Sequence, residues 1–193
     1  MKIILITGYA GSGKDTLGKL FIEKGYKRYA FADIVKIRTA ETHGFPFELT
    51  QTQEGKSTLV TSKLTNKQAT VREFLIIDSA EAKAKFNDNA FWAKILENII
   101  QIDKPTKVVI TDWRYKAEYE HFSNVFDSYF GSNIQSIKEP RIINTIRVVR
   151  DNITISDDPS EHELDSVKTD YTFQNNGSLE ELKLQLNRLF LFE

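Results

Sequence analysis

An α/β fold, a three-layer sandwich around a central parallel sheet, is the class this sequence predicts, and three observations carry it. Strand-like and helix-like segments alternate along the chain instead of segregating. The runs KIILITG and KVVITDWR hold apolar residues on both faces, as strands covered on both sides do. A glycine-rich stretch, GYAGSGKDT at residues 8–16, follows the first run and opens onto a helical pattern.

The elements follow in order. After the first strand, Leu17, Leu20 and Phe21 share one helical face between Lys14 and Lys24. YKRYAFA reads as a second short strand and Asp33 to Thr42 as a short helix. From Gly44 to Ala69 the periodicity disappears and Thr, Gln, Ser, Lys and Asn dominate. Helical spacing returns over 71–86 and 90–101, through Val71, Phe74, Leu75 and Asp78, then Phe91, Ile95, Leu96 and Ile99. KVVITDWR is the second buried strand, a helix begins near Tyr115, and IINTIRVVR is the third strand. DNITISDDPSEHELD, residues 151–165, is polar and turn-rich, with Ser160 to Glu163 fitting a capping box. DYTFQN reads as a last strand, and SLEELKLQLNRLF as an amphipathic helix capped by Ser178.

With 193 residues, one domain with a real core is expected. Lys and Arg number 26 against 27 Asp and Glu, which argues against a large nucleic-acid footprint. The absence of cysteine excludes disulfides, zinc-thiolate sites and a cysteine nucleophile. The apolar part of the N-terminus, Ile3 to Ile6, is too short for a secretory signal, and no stretch is long enough to span a bilayer. A soluble cytoplasmic protein with no membrane partner is the expectation.

Gly8 and Gly13 are spaced as in the phosphate-cradling pattern G-x4-G-K, Lys14 follows at once, and the strand–loop–helix context is the required one. Such a P-loop, characteristic of the P-loop NTPase fold, lets backbone N–H groups converge on phosphate oxygens at a helix N-terminus. Lys14 would place its ammonium on the β- and γ-phosphates of ATP. Ser or Thr normally follows the lysine; here Asp15 does, and then Thr16. Thr16 is the candidate phosphate contact. Asp15 reads as a water-mediated Mg²⁺ ligand, as an orienter of an acceptor oxygen, or as a first-turn carboxylate favoured by the helix dipole. A second Gly-Lys-Ser-Thr, residues 55–58, has Thr50 where the first glycine belongs and no strand before it, so it reads as polar loop.

A phosphate loop alone admits kinases, GTPase switches, motors and DNA-dependent ATPases. No Asn-Lys-x-Asp guanine reader is present, since Asn66-Lys67 is followed by Gln68 and Ala69. Asp112 and Arg114, after an apolar strand, can reach the crevice beyond the strand's carboxyl end, where a carboxylate can hold Mg²⁺ through water and a guanidinium can grip phosphate. The rival reading is a strand-ending Asp paired with Arg114 for structure alone. Arg150 ends another strand before the polar segment and would neutralise a transferring phosphoryl group. Arg147 lies within that strand and reads equally as an edge residue.

The pieces GYAGSGKDT, FADIVK, TVREFL, VVITDWRYKAEYE, IRVVR, PSEHELD and QNNGSLEEL, in that order, resemble the viral deoxynucleoside monophosphate kinases, within the nucleoside-monophosphate-kinase-like P-loop fold. The resemblance covers most of the chain except residues 44–69. It implies transfer of the ATP γ-phosphate to a deoxynucleoside 5′-monophosphate, with Mg²⁺ as cofactor and, for a viral protein, the host cytoplasm as location. It puts Gly8, Ala10, Gly11, Ser12, Gly13, Lys14, Asp15 and Thr16 at the ATP phosphates, and Asn175, Asn176 and Gly177 beside the adenine. Phe31, Asp33, Lys36 and Arg72 fall on the monophosphate side, although Arg72 and Glu73 read also as exposed helix residues, and Ser160 and Glu161 read either as caps of a lid helix or as ligand contacts. Asp112 and Arg114 lie between the phosphates, Asp112 and Thr16 able to hold the metal through water, and Arg150 opens a mobile lid over about 151–165. Residues 44–69 become a variable acceptor-side insertion in a single domain spanning 1–193. The chain departs from the family at Asp33-Ile34-Val35-Lys36, where relatives have Asp-Pro-Leu-Lys, and at Asp158-Pro159-Ser160-Glu161, where they have His-Pro-Ser-Glu. The alternatives are a kinase of another phosphorylated small molecule, phosphomevalonate-like, and a catalytically weak nucleotide-binding regulatory protein. Base preference and ribose selectivity stay open, as does a homodimer.

Overall fold

A computed structural model of the chain describes residues 1–132 and 142–190. The chain forms two compact units, one of Met1–Ala30 with Glu97–Glu193 and the other of Phe31–Leu96.

The first unit holds a five-stranded sheet in the order β2-β5-β1-β6-β7, from Lys27–Tyr29, Lys107–Ile110, Lys2–Thr7, Ile142–Val149 and Tyr171–Gln174. Every neighbouring pair is parallel. Burial on both faces explains why the strands are nearly continuous apolar runs. Successive side chains of a strand point to opposite faces. Ile4 and Ile6 of β1 pack with Val109, Ile146, Val148 and Phe173, under Leu17, Leu20 and Phe21 of α1 (Lys14–Glu23) and Leu182 and Leu186 of α8 (Leu179–Phe190). Ile3, Leu5, Val108 and Ile110, of opposite parity, are buried as well. Two further helices, α5 (Phe91–Asp103), which starts in the other unit, and α6 (Lys116–Ser132), flank β5 in sequence. The parallel sheet with helices before and after its strands is the α/β class that the sequence predicts.

The second unit is built on α2 (Phe31–His43) and α4 (Val71–Phe86), with the short α3 (Gln53–Ser57) and a hairpin, β3 (Leu59–Thr61) and β4 (Gln68–Thr70), between them. Ala40, Phe45, Val71 and Phe74 form its core. His43 is buried against the Phe74 ring, 4.1 Å between centroids, with Ser62 Oγ at 2.7 Å from Nδ1 and Asp78 at 3.1 Å from Nε2. Thr70 and Glu73 make a reciprocal capping box at the start of α4. Its hydrogen bonds from Thr70 hold the Glu73 carboxyl below the usual range.

Several local expectations need correction. Residues 44–69, where the sequence shows no period and makes no prediction of elements, form a 3₁₀ turn, α3 and the hairpin, all too short to show one. The strand expected over YKRYAFA ends at Tyr29, because α2 already begins at Phe31. Gly55 to Ser57 lie in α3 and not in a polar loop, since Thr52 caps that helix by accepting the Gly55 N–H. Among the described residues, no helix is long and apolar enough to cross a membrane.

Candidate functional site

β1 delivers the chain into residues 8–13 at the carboxyl edge of the sheet, where crevices of open parallel sheets lie. Two glycines there are obligatory. Gly8 has φ +143°, and a Cβ on it would stand 2.3 Å from the Val148 carbonyl oxygen. Gly13 has φ +99°, and its Cβ would stand 2.0 Å from Asn175 Nδ2. The first-turn N–H groups of α1 have no partner within the helix, which makes the loop an anion seat. Ser12 is buried and its hydroxyl has no hydrogen-bond partner.

Lys14 turns its ammonium onto the carbonyls of Gly8 and Tyr9, the latter at 2.8 Å. Burial lowers its pKa, and the charge of Arg114 lowers it further, while Glu161, Asp15 and Asp112 act in the opposite sense. Two cations and three carboxylates therefore share one field. Asp15 and Thr16 are exposed on the first turn of α1, and Gly11 and Ala10 are exposed at the loop's rim.

Beyond β5 the chain is clamped before it reaches Arg114. Trp113, 1% exposed, donates its backbone N–H to Ile6 and its indole N–H to the Tyr115 carbonyl. The buried Glu118 carboxylate accepts the N–H groups of Arg114 and Tyr115, at 3.0 and 3.1 Å. Asp112 is half-buried between these anchors and the strand end. Arg114 pairs with Glu161 and reaches Ser160 Oγ at 3.4 Å. Burial raises the pKa of the neighbouring Tyr115, and a hydrogen bond with Ser160 opposes it. The anchoring roles of Trp113 and Glu118 escape the sequence reading; a glutamate four residues after Arg114, at a helix start, was the available signal.

The polar segment has two halves. Residues 151–157 are mostly exposed, whereas α7 (Pro159–His162) and its C-terminal turn are tied down. Asp158, not Ser160, caps α7, because Pro159 takes the first helical position and the Asp158 carboxylate accepts the Ser160 N–H at 2.9 Å. Those bonds hold its carboxyl below the usual range. The segment also has an apolar anchor, Leu164, buried at 2%. Arg147 donates to the carbonyls of Leu164 and Val167, and since β6 lies between β1 and β7 it is no edge residue. Tyr9 donates to Asp165 at 2.8 Å, Glu163 accepts the Lys116 N–H at 2.9 Å, and Glu161 accepts the Ala10 N–H at 3.0 Å. Arg150 is exposed and lines a cleft of about 230 Å³ with Gly8, Tyr9, Ile153 and Ile155.

The turn after β7 is bound to both neighbours. Asn175 donates to the Ser12 carbonyl at 2.8 Å, and Asn176 exchanges two hydrogen bonds with Asp151. Their amides are thus committed to the protein. Gly177 lines an open cleft with Asn176, Glu181, Gln185 and Arg188.

The structure brings together, in the first unit, the loop residues, Asp112, Arg114, Arg150 and the 175–177 turn. Phe31, Asp33, Lys36 and Arg72 belong to the second. There Phe31 is buried, Lys36 pairs with Asp33 at 3.1 Å, and Arg72 is exposed and donates to Gln53 at 2.6 Å. Among the described residues, no group of three or more His, Cys, Asp or Glu side chains is arranged to hold a metal.

No family model and no curated protein matches the chain. Dephospho-CoA kinase from Campylobacter jejuni is similar in structure over 99% of this chain and 96% of its own, with a TM-score of 0.50 at 17% identity. The chain shares its fold with that kinase. A sugar kinase from Janibacter sp. HTCC2649 aligns over 98% of this chain and 94% of its own, with a TM-score of 0.42 at 9% identity. The 17% identity of the dephospho-CoA kinase speaks for the fold alone.

Proposed function

We propose that this protein is an ATP-dependent kinase that transfers the γ-phosphate to a deoxynucleoside 5′-monophosphate, giving ADP and a deoxynucleoside diphosphate. The observation that carries this reading is that the Lys14 ammonium sits on the Gly8 and Tyr9 carbonyls of the glycine loop, while Arg114 is joined to the same loop through Glu161, which accepts the Ala10 N–H. The acceptor rests on the resemblance of the seven sequence pieces to the viral deoxynucleoside monophosphate kinases.

The donor set fits ATP with Mg²⁺. Loop amides and Lys14 suit phosphate oxygens, and Mg²⁺ is a cation held chiefly through such phosphates with one or two protein oxygen ligands. Thr16 and Asp112 would hold it through water, and when bound it supplies further positive charge at the phosphates. Phosphoryl transfer asks the protein for alignment and charge, with little covalent help. Lys14 stabilises the charge growing on the β–γ side, and Arg114 grips a phosphate with its planar fork. Arg150 adds a third cation from the root of the polar segment. No general base is required, because the acceptor phosphate oxygen is already anionic. Phe31, Asp33, Lys36 and Arg72 are proposed to bind the monophosphate.

A coupled ADP-release screen tests the reading, with ATP, magnesium and each of the four deoxynucleoside monophosphates, and with phosphomevalonate and dephospho-CoA as rival acceptors. Turnover is expected with at least one deoxynucleotide. Turnover confined to a rival moves the acceptor assignment to it, and ATP binding without any turnover makes the protein a nucleotide-binding regulator.

A further inference from the structure

Glu161 touches two of the groups on which phosphate recognition rests. One carboxylate oxygen accepts the Ala10 N–H of the loop at 3.0 Å, and the other pairs with Arg114. Its side chain is 7% exposed, against 39% for Arg114. A carboxylate that deep loses its hydration and is retained only where specific donors replace the water. Here the donors are a loop amide and a strand-end guanidinium, both of them anion-binding groups. Nothing about the contact is local, since 151 residues separate Ala10 from Glu161. Its placement is also enforced from several sides. Asp158 caps α7, Tyr9 holds Asp165, Lys116 holds Glu163, and Arg147 holds the carbonyls that follow.

We propose that the Glu161 carboxylate is a built-in stand-in for phosphate, an anion seated at the rim of the loop that a nucleotide's phosphates must displace. This rests on the phosphate-loop reading above. The exchange is anion for anion, with no bond made or broken. The carboxylate leaves the Ala10 N–H and Arg114, and a phosphate oxygen takes both donors. Arg114 is thereby handed from protein to ligand in the step that loosens α7 from the loop. Apparent affinity is lowered by the fraction of molecules in which the carboxylate is seated.

The test is calorimetric titration of the wild type, Glu161→Gln and Glu163→Gln with two probes, Mg–ATP and inorganic pyrophosphate. Glutamine keeps the shape of residue 161 and removes its charge. Glu163→Gln makes the same charge change on the same turn, where the carboxylate holds Lys116 instead of the loop. Glu161→Gln should bind both probes about fivefold to tenfold tighter, and Glu163→Gln should stay within about twofold of the wild type. Equal gains in the two variants would reduce the effect to general charge and overturn the proposal. Unchanged or weaker binding by Glu161→Gln, with a wild type that binds ATP, overturns it while the phosphate-loop reading stands. Failure of all three proteins to bind either probe overturns both. Should Glu161→Gln not fold, Asp165→Asn carries the test, because it weakens the Tyr9 tether and leaves Glu161 in place. A gain of about twofold to threefold in both probes is then expected, and no gain overturns the proposal.

Discussion

Gly13-Lys14-Asp15-Thr16 and Gly55-Lys56-Ser57-Thr58 differ at one residue and have almost nothing in common as structures. The first begins a ten-residue helix behind a buried parallel strand, with Gly13 at φ +99°. The second sits inside a five-residue helix whose amides are already spent: Thr52 takes the Gly55 N–H through its hydroxyl and the Lys56 N–H through its carbonyl. Gly55 is glycine because a Cβ would stand 2.5 Å from the Leu49 carbonyl oxygen. Phosphate holding is therefore expected only where unspent amides at a helix start stand beside the lysine. The Gly-Lys letters alone do not confer it.

The largest expected effect contrasts the two lysines. Lys14→Ala should lower turnover by roughly 10²–10³-fold with the fold intact, because its charge counts most in the transition state. Lys56→Ala should leave turnover within about twofold. Comparable losses in a steady-state assay would erase the distinction.

Next come the glycines, which separate by the property they damage. Gly13→Ala forces a positive φ on alanine and pushes on the Asn175 amide, so activity should fall steeply on top of a stability loss of about 1–3 kcal/mol. Gly55→Ala drives a methyl into the backbone of Leu49 and should cost about 1–3 kcal/mol, seen as several degrees by calorimetry. Activity retained in folded Gly13→Ala would mean that the loop is a structural turn.

Legibility in the sequence followed the same division. β1, α1, β5 and β6 announce themselves because burial on both faces, or on one helical stripe, writes a periodic pattern. Lys14 and the loop glycines were readable because strand, loop and helix are contiguous. Residues 44–69 were not, because their order comes from caps and from buried His43 and Ser62 with half-buried Asp78, a group that spans 35 residues of sequence. Glu161, Glu118 and Arg147 act through contacts that composition cannot show. Ser160 drew the cap assignment away from Asp158 because a capping-box spacing fits both readings, and only Pro159 decides between them.

The smallest expected effect is titration, present at the first segment through α7. The hydrogen bond to Asp165, and then the Ser156 carbonyl, raise the His162 pKa. Burial pushes the Asp165 carboxyl up, but its bonds to His162 and Tyr9 prevail and hold it down. A raised histidine favours its charged form in the folded protein, so this support is complete below the ordinary value and fades as pH rises through the raised one. In an NMR titration, His162 should titrate above the ordinary histidine value and move back toward it in Asp165→Asn. An unmoved midpoint would show that Asp165 does not set it.

The turn after β7 carries a further consequence. Adjacent side chains of Asn175 and Asn176 fasten, respectively, the carbonyl of Ser12 and both polar faces of Asp151. Two segments far apart in sequence are moored to one post. One residue inserted between the two asparagines would leave each mooring chemically competent and yet rotate one of them off its bollard. The spacing of two neighbours, more than the identity of either, keeps the glycine bend and the root of the polar arm in phase.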